Sequence, residues 1–357
     1  MHEKNLLLFS EKELKDFCTR SLETSGLSKE DAELTSDTLV KSEMMGVSGH
    51  GVVRLPFYCK RLIDKGTKRD PNIKVMVDKP AMLLIDGDNG LGQVIGIRVM
   101  QKVVDKARIS GICFAGVRNS CHLGMVGYYP LLAAKDEMIG VVGTNAPPVM
   151  AAWGGSKPMI GNNPLAVAIP TAREFPLMLD ISMSVASGGK VRLAAVKNEK
   201  IPLGWILDGK GRPTDRPEDL VPDGTLLPMG HKGFGLAVMI EALTGALSGA
   251  GILSQMGIWF RDTTLPINNG HFFMAIDIGA FCDLEIFKRR INQMIDELKS
   301  SPLSEDSKGI FMPGEIEFLN EQTCRREGIP VSLEVLKNLN NFASEICVPR
   351  LETQERR

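Results

Sequence analysis

The sequence lacks an excess of one charge, a cysteine framework, a long apolar run and a standard phosphate loop, and each absence excludes a class of protein. Lys and Arg total 42 against 43 Asp and Glu, for a net charge of -1. That leaves no basic field for binding nucleic acid or a membrane surface, so the expected partner is a small molecule. The seven cysteines (Cys18, Cys59, Cys113, Cys121, Cys282, Cys324 and Cys347) are odd in number, and no two have CxxC spacing. A disulfide framework and a zinc ribbon are therefore not expected, and no metal site is. The apolar run in "MHEKNLLLFSEKEL" is four residues long, too short for a signal-peptide core or a membrane span. The apolar stretch Phe234 to Gly251 is interrupted by Glu241, Thr244 and Ser248, so it reads as a buried helix and not a span. No Walker lysine motif and no internal repeat is present. A reducing cytoplasm is the expected location.

What remains is an ordinary globular composition, 43% apolar and 24% charged over 357 residues, with ample material for a core. "SEKE" at Ser10 has capping-box form and "SKED" at Ser28 repeats it with an aspartate, which predicts two N-terminal helices. Five short apolar runs predict buried strands at 81–86, 112–117, 138–144, 165–170 and 177–181, with a helix-compatible stretch from Val94 to Ala107. A further strand is expected at 271–278 and an amphipathic helix at 283–301. The core is thus mixed α/β. Residues 196–224, dense in Pro, Gly and charge, read as a long surface loop or a linker.

Several motifs could carry chemistry, and each has a plain alternative. "DGDNGLGQVIG" lacks the spacing of a Rossmann GxGxxG, so a strand-to-helix turn is the simpler reading. "NSCHLG" places His122 in a loop at the carboxyl end of a strand, where open α/β sheets bind ligands, or where a histidine caps a loop. The loop from Thr144 to Pro170 carries Asn145, Asn162 and Asn163 among glycines that let backbone amides approach an anion, unless it is only a connection. "MGHKGFG" sets His231 and Lys232 at a helix start, an anion site on physical grounds, although its glycines serve close packing equally well. "SGHGVVR" puts His50 four residues before Arg54, a spacing that on a helical turn faces both the same way.

Together, "GVSGHGVVRLPFY", "NGLGQVIG", "VRNSCHLGMVGYY", "GTNAPPVMAAWGG", "GNNPLAVAIP", "LDISMS" with "GGKV", "IPLGWILDGKGRPT", "LLPMGHKGFGLAVMIEALTGALSGA", "GHFFMAIDI" and "MPGE" follow the order and spacing of a known family. The chain resembles the malate/L-lactate dehydrogenase family, the type 2, non-Rossmann NAD(P)-dependent 2-oxoacid oxidoreductases that include ureidoglycolate, sulfolactate and diketogulonate enzymes and a cyclic imine reductase. The resemblance runs from about residue 10 to 335.

It implies the α/β non-Rossmann nicotinamide-binding fold of that family with an N-terminal helical region. The implied division is residues 1–75 completing a substrate domain, 76–265 forming the nicotinamide-binding domain, and 266–357 returning to the substrate domain. It implies NAD or NADP as cofactor and a homodimer. The matching cofactor segments are Ser120, His122, Leu123 and Gly124; Asn145; Asp180, Ile181 and Ser182; His231 and Lys232; and Pro313, Gly314 and Glu315. His50 takes first place as the acid/base, because a group titrating near neutrality suits proton transfer in both directions. His122 is the alternative base, or a nicotinamide or substrate contact. Arg54 is assigned to the substrate carboxylate, with Asn162, Gly188 and Gly189 beside the substrate and Lys190 among the catalytic group. Lys190 replaces an acidic residue of the imine reductase branch, which favours a hydroxyacid over a cyclic imino acid. Four departures stand out: Gly49 where the family has serine, with Ser48 able to substitute; Gly188 where arginine is usual; Asn162 for threonine; and "MGHKG" for "GGHKG". The losses at 49 and 188 give the second reading, a catalytically weakened nucleotide-binding relative with a regulatory role.

Overall fold

The computed structural model describes residues 6–258 and 261–352. The chain opens with strand β1 (Leu6–Phe9) and helices α1 (Glu11–Thr24), α2 (Lys29–Met44) and α3 (Leu55–Ile63). At α1 the capping box forms in both directions: Ser10 Oγ accepts from Glu13 N at 3.2 Å, and Glu13 Oε2 accepts from Ser10 N at 2.8 Å. At α2 only half of it forms. Ser28 accepts from Asp31 N, but the Asp31 carboxylate accepts from Arg98 at 2.7 Å instead of reaching back, as its shorter side chain requires.

A hairpin of β2 (Lys74–Lys79) and β3 (Met82–Asp86) is followed by α4 (Gly92–Ser110), β4 (Ile112–Ser120), α5 (Tyr128–Lys135) and β5 (Met138–Thr144). Short β6 (Met150–Ala151) and β7 (Pro158–Ile160) precede β8 (Leu165–Ile169) and β9 (Leu177–Ile181). Then come α6 (Gly188–Val196), β10 (Ile206–Leu207), β11 (Pro213–Thr214), β12 (Thr225–Leu226) and α7 (Gly230–Glu241), which runs into a π-turn at Ala242–Ala246. The chain closes with β13 (Asn269–Asp277), α8 (Leu284–Lys299), α9 (Glu315–Glu327), β14 (Ile329–Ser332) and α10 (Leu333–Glu345).

The main sheet has seven strands in the order β2-β3-β4-β13-β5-β8-β9. Only β3 and β4 run parallel, joined by the crossover helix α4; every other pairing is antiparallel. This topology accounts for the missing GxGxxG, because a Rossmann fingerprint belongs to a doubly wound parallel sheet that this chain does not build. Gly92, at the start of α4, is fixed by packing: a Cβ there would lie 2.4 Å from Cys121 O. Close approach to the loop carrying His122, and not a phosphate, explains that glycine.

One expectation changes and one segment gains a role. The four-residue apolar run at the N-terminus is β1, whose Leu7 and Phe9 pair antiparallel with Val331 and Ile329 of β14. Residues 196–224 are not a linker: Ile206 and Leu207 are buried and belong to a five-stranded sheet, β11-β10-β12-β6-β7. Three larger apolar cores result. One joins α1, α2 and α3 to β14 and α10, the second lies under the main sheet, and the third covers the small sheet with α6 and α7.

Arg61 locks α3 in place. Its side chain is wholly buried and donates to the carbonyl oxygens of Gly66 at 2.8 Å, Leu265 at 2.6 Å and Asp262 at 2.9 Å. Replacing it by methionine keeps the apolar stem but removes the donor that the carbonyls of Gly66, Leu265 and Asp262 share. Arg61→Met is expected to lower the unfolding free energy by about 3 kcal/mol in urea titrations; a loss below about 0.5 kcal/mol would show the network to be dispensable.

Candidate active site

His50 and Arg54 lie between α2 and α3 on two single 3-10 turns, Ser48–His50 and Val52–Arg54. The extended Gly51 (φ -87°, ψ -148°) separates the turns, so the two side chains do not share one helical face as the spacing suggested. Arg54 is steered instead by its own loop, donating from Nε to Gly49 O at 2.7 Å. Glu43, at the end of α2, supports the segment from below. Its Oε1 accepts from Val52 N at 3.0 Å and its carboxylate also bonds the Ser48 hydroxyl. Ser48 is therefore engaged with Glu43 and not with His50, which removes it as a stand-in for the serine absent at 49. A Cβ on Gly51 would fall 2.3 Å from Glu43 Oε1, so this glycine is set by the carboxylate, whereas Gly49 has open space around it.

His122 arrives from the loop after β4 and meets His50 face to face, ring centroids 5.4 Å apart and planes at 25°. Its Nδ1 is 2.8 Å from the Tyr58 hydroxyl and 3.3 Å from Gly124 N. Gly124 itself adopts φ +79°, in the left-handed region that favours glycine. Burial, helped by the Arg54 charge, pushes the His50 imidazole down to about 4. Burial followed by the charges of His50, Arg54 and His271 holds His122 well below the usual histidine range. Both rings are thus held neutral near pH 7. Nδ1 of His50 is buried with no hydrogen-bond partner among the described residues.

Several of the segments expected to hold a dinucleotide form one strip around the end of β9. Asp180 accepts from Gly127 N at 2.7 Å, and burial raises its carboxyl to about 6. Met178 N donates to Pro313 O at 3.0 Å, while a Cβ on Gly314 (φ +86°) would meet Met178 at 2.9 Å. Met183 N donates to Asn162 O at 2.8 Å, and Met229 N to Met183 O at 2.9 Å, which brings in the start of α7. That helix has no side-chain cap, and His231 and Lys232 are exposed in its first turn. Uncapped amides beside a lysine fit a phosphate. Ser182 faces Ser184, Oγ to Oγ 3.2 Å, and Ile181 lies in the ladder opposite Leu165.

Other candidates make contacts within the fold. Asn145 spends its side chain on Gly251 O at 2.8 Å and Gly270 N at 2.9 Å. Leu123 is buried in the core under the sheet, and Ser120 is fully buried. Glu315 pairs with Lys299 and accepts from Met312 N at 2.8 Å. Gly188 and Gly189 open α6, with Ser187 capping Lys190 N at 3.2 Å. The Lys190 side chain is exposed, and among the described residues no hydrogen bond or ion pair joins it to His50, Arg54 or His122. Its neighbour Arg192 reaches back over Gly188, Nη2 3.8 Å from where a Cβ would stand, and its charge is felt by Arg54. Sequence reasoning missed Arg192, Glu43, Tyr58 and the wholly buried Gln93. Tyr58 stands in the quoted "RLPFY" and Gln93 in "NGLGQ", yet nothing in either spacing says that they converge on His122.

The sequence profile of the malate/L-lactate dehydrogenase family matches residues 9–340. A malate dehydrogenase of Pyrococcus abyssi is 39% identical over 362 aligned positions, covering 98% of each chain. An L-sulfolactate dehydrogenase of Methanocaldococcus jannaschii is 37% identical, covering 91% of this chain and 92% of its own. The solved structure of malate dehydrogenase from Pyrococcus horikoshii superposes with a TM-score of 0.90 at 37% identity, over 98% of both chains.

The buried Glu43 gives the site loop a pH signature. Burial raises its carboxyl from 4.5 to about 7, only partly offset by the Ser48 and Val52 hydrogen bonds. A raised carboxyl binds its proton more tightly in the folded state, so its contribution is most favourable below about pH 4.5 and is lost as pH rises toward 7. The loss is on the order of 3 kcal/mol. Asp180 and His50 titrate over overlapping ranges, so the informative quantity is the stability of wild type minus that of Glu43→Gln. Measured by denaturant unfolding, this difference should fall between pH 5 and pH 8; a flat difference would show that the Glu43 carboxyl titrates alike in the folded and unfolded states.

Proposed function

This chain belongs to the malate/L-lactate dehydrogenase family, and we infer that it is an NAD(P)-dependent dehydrogenase acting on a small 2-hydroxyacid or the matching 2-oxoacid. The observation that carries the reading of the site is the stacked His50 and His122 pair with Arg54 alongside. Bound nicotinamide supplies or accepts the hydride. The strip from His122 and Gly124 through Asp180 and Ser182 to His231, Lys232 and Gly314 would hold it, with the uncapped start of α7 toward its phosphates.

Arg54 orients the substrate carboxylate through its planar fork, which the Nε bond to Gly49 O aims. The carboxylate also offsets the positive charge that, after burial, pushes the His50 imidazole down. Protonation of His50 thus becomes easier when an anionic substrate is present. Reduction leaves an oxyanion on the former carbonyl, which takes its proton from His50. Oxidation of the hydroxyacid runs the same transfer backward. The Asp180 carboxyl, raised by burial, accepts the Gly127 amide and holds the start of α5 against the strip.

The assembly proposed is a homodimer. Leu236, Met239, Leu243 and Leu247 form one exposed apolar stripe along α7 and its π-turn, 38% to 62% exposed. Such a stripe is suited to cover by a second copy. The apolar core that α1, α2 and α3 share with β14 and α10 supports a C-terminal segment returning to the N-terminal region. No helix among the described residues is long and apolar enough to cross a membrane, and a cytoplasmic location is proposed from the seven unpaired cysteines.

The test is the initial rate of NADH and NADPH oxidation against a panel of 2-oxoacids, with a cyclic imino acid included. Turnover of at least one 2-oxoacid is expected, and Arg54→Ala should lower kcat/KM about 100-fold, mainly through KM. Binding of the cofactor without turnover of any panel member would favour the weakened, regulatory reading. Gly49→Ser, for which the structure has room, should raise the rate by steadying His50; an unchanged or lower rate would count against His50 as the proton-transfer group.

A further inference from the structure

We propose that Tyr58 and the Gly124 amide lock His122 as the neutral Nε2–H tautomer, so that His122 donates a hydrogen bond to the reacting substrate oxygen while His50 alone exchanges the proton. The proposal rests on the dehydrogenase reading above and assigns separate tasks to two histidines that the sequence leaves as rivals.

The geometry starts at Nδ1. A backbone N–H can only donate, and Gly124 N points at His122 Nδ1 from 3.3 Å. Nδ1 therefore presents its lone pair and carries no hydrogen. The Tyr58 hydroxyl, 2.8 Å from the same atom, must then be a donor as well, because acceptance would need a hydrogen on Nδ1. Tyr58 can keep that role throughout the working pH range, since burial pushes its phenol above the ordinary value. With Nδ1 occupied by two donors, the single ring proton of neutral His122 sits on Nε2.

Forming an imidazolium would place a hydrogen on Nδ1 facing two donors, in a pocket that already carries Arg54 and adjoins His50. Burial and those neighbours oppose it further. Nor can Nε2 act as a base, because it already bears the proton. What remains is a fixed N–H dipole, worth most where negative charge develops. Reduction moves the carbonyl π pair onto oxygen as the hydride bonds to carbon. Nε2–H of His122 hydrogen-bonds that oxygen and keeps its proton, and the proton that neutralises the oxygen comes from His50. Tyr58 is a positioning residue, acting only through His122. Gln93 lies in the same corner, its Nε2 3.4 Å and Tyr58 Oη 3.7 Å from a Cβ placed on Gly124, which encloses the contact.

Two measurements decide it. Long-range 15N–1H correlation on 15N-histidine-labelled full-length protein reads the tautomer directly, with the signals of His122 identified by their loss in His122→Gln. The expected result is a protonated Nε2 and an unprotonated Nδ1, with the Nδ1 shift displaced in Tyr58→Phe, which keeps the packed ring. A hydrogen on Nδ1, or a shift indifferent to Tyr58→Phe, overturns the proposal. This arm needs no substrate, so it stands even if no 2-oxoacid is turned over and the dehydrogenase reading fails. In the kinetic arm, His122→Gln keeps an N–H donor and should lose about 10- to 100-fold in kcat while retaining the pH limb of kcat/KM. His50→Gln should lose about 1000-fold and the limb with it. Tyr58→Phe should lower kcat about tenfold with KM within about twofold. If the limb vanishes in His122→Gln and survives in His50→Gln, His122 is the base and the proposal is wrong.

Discussion

The insertion of β13 between β4 and β5 is the constraint on which the rest of the molecule depends. These two strands are built early in the chain, yet they do not pair with each other; β13, more than a hundred residues later, satisfies both edges. Its start is irregular, with a register shift between Asn269 and His271. There His271 Nδ1 contacts Thr144 Oγ1 at 2.7 Å, Asn269 Nδ2 donates to Asn145 O at 2.8 Å, and Gly270 passes so close to the π-turn after α7 that a Cβ would lie 1.9 Å from Thr244 O. One strand end thus ties the exit of β4, from which His122 projects, to the exit of β5 and to α7.

The site uses the low polarity that this packing creates. Two imidazoles, an arginine and a phenol occupy a region where burial opposes every new charge, so the positive groups depress one another and stay neutral where they can. On the other side of the loop Glu43 is held up by burial for the same reason, and it fixes the His50 segment by hydrogen bonds rather than by an ion pair. Histidines from opposite sides meet because α2 and α3 carry one and the main sheet carries the other.

Much of the local structure was legible. The capping box at Ser10, the strands at 138–144 and 177–181 and the amphipathic α8 follow from periodicity and caps and lie where they were expected. The chain's ten-motif resemblance was equally legible, since order and spacing survive in a linear string. Legibility failed where pairing is long-range. "LLLF" looks like a truncated apolar run until β14, more than three hundred residues away, turns it into a strand. Residues 206–207 and 213–214 look like loop because two-residue strands have no period to detect. The apolar stretch after Met229 was expected to be buried, yet only one face of it is: Ala237 and Ile240 enter the third core while Leu236 and Met239 are exposed.

The sequence by itself determined which residue types could serve: a histidine and an arginine in "SGHGVVR", a second histidine after β4, glycines where backbones must touch, and no fingerprint for a parallel nucleotide fold. Those are properties of composition and spacing, which folding does not alter. Tertiary structure alone decided what the groups do to each other. Only the packing of α3 against the β4 loop puts Tyr58 on His122, only the reach of Glu43 takes Ser48 away from His50, and only the exposure of α6 leaves Lys190 outside the pair. Hydrogen-bond direction and the cost of burying charge depend on distances between residues remote in the chain, and no linear spacing encodes them.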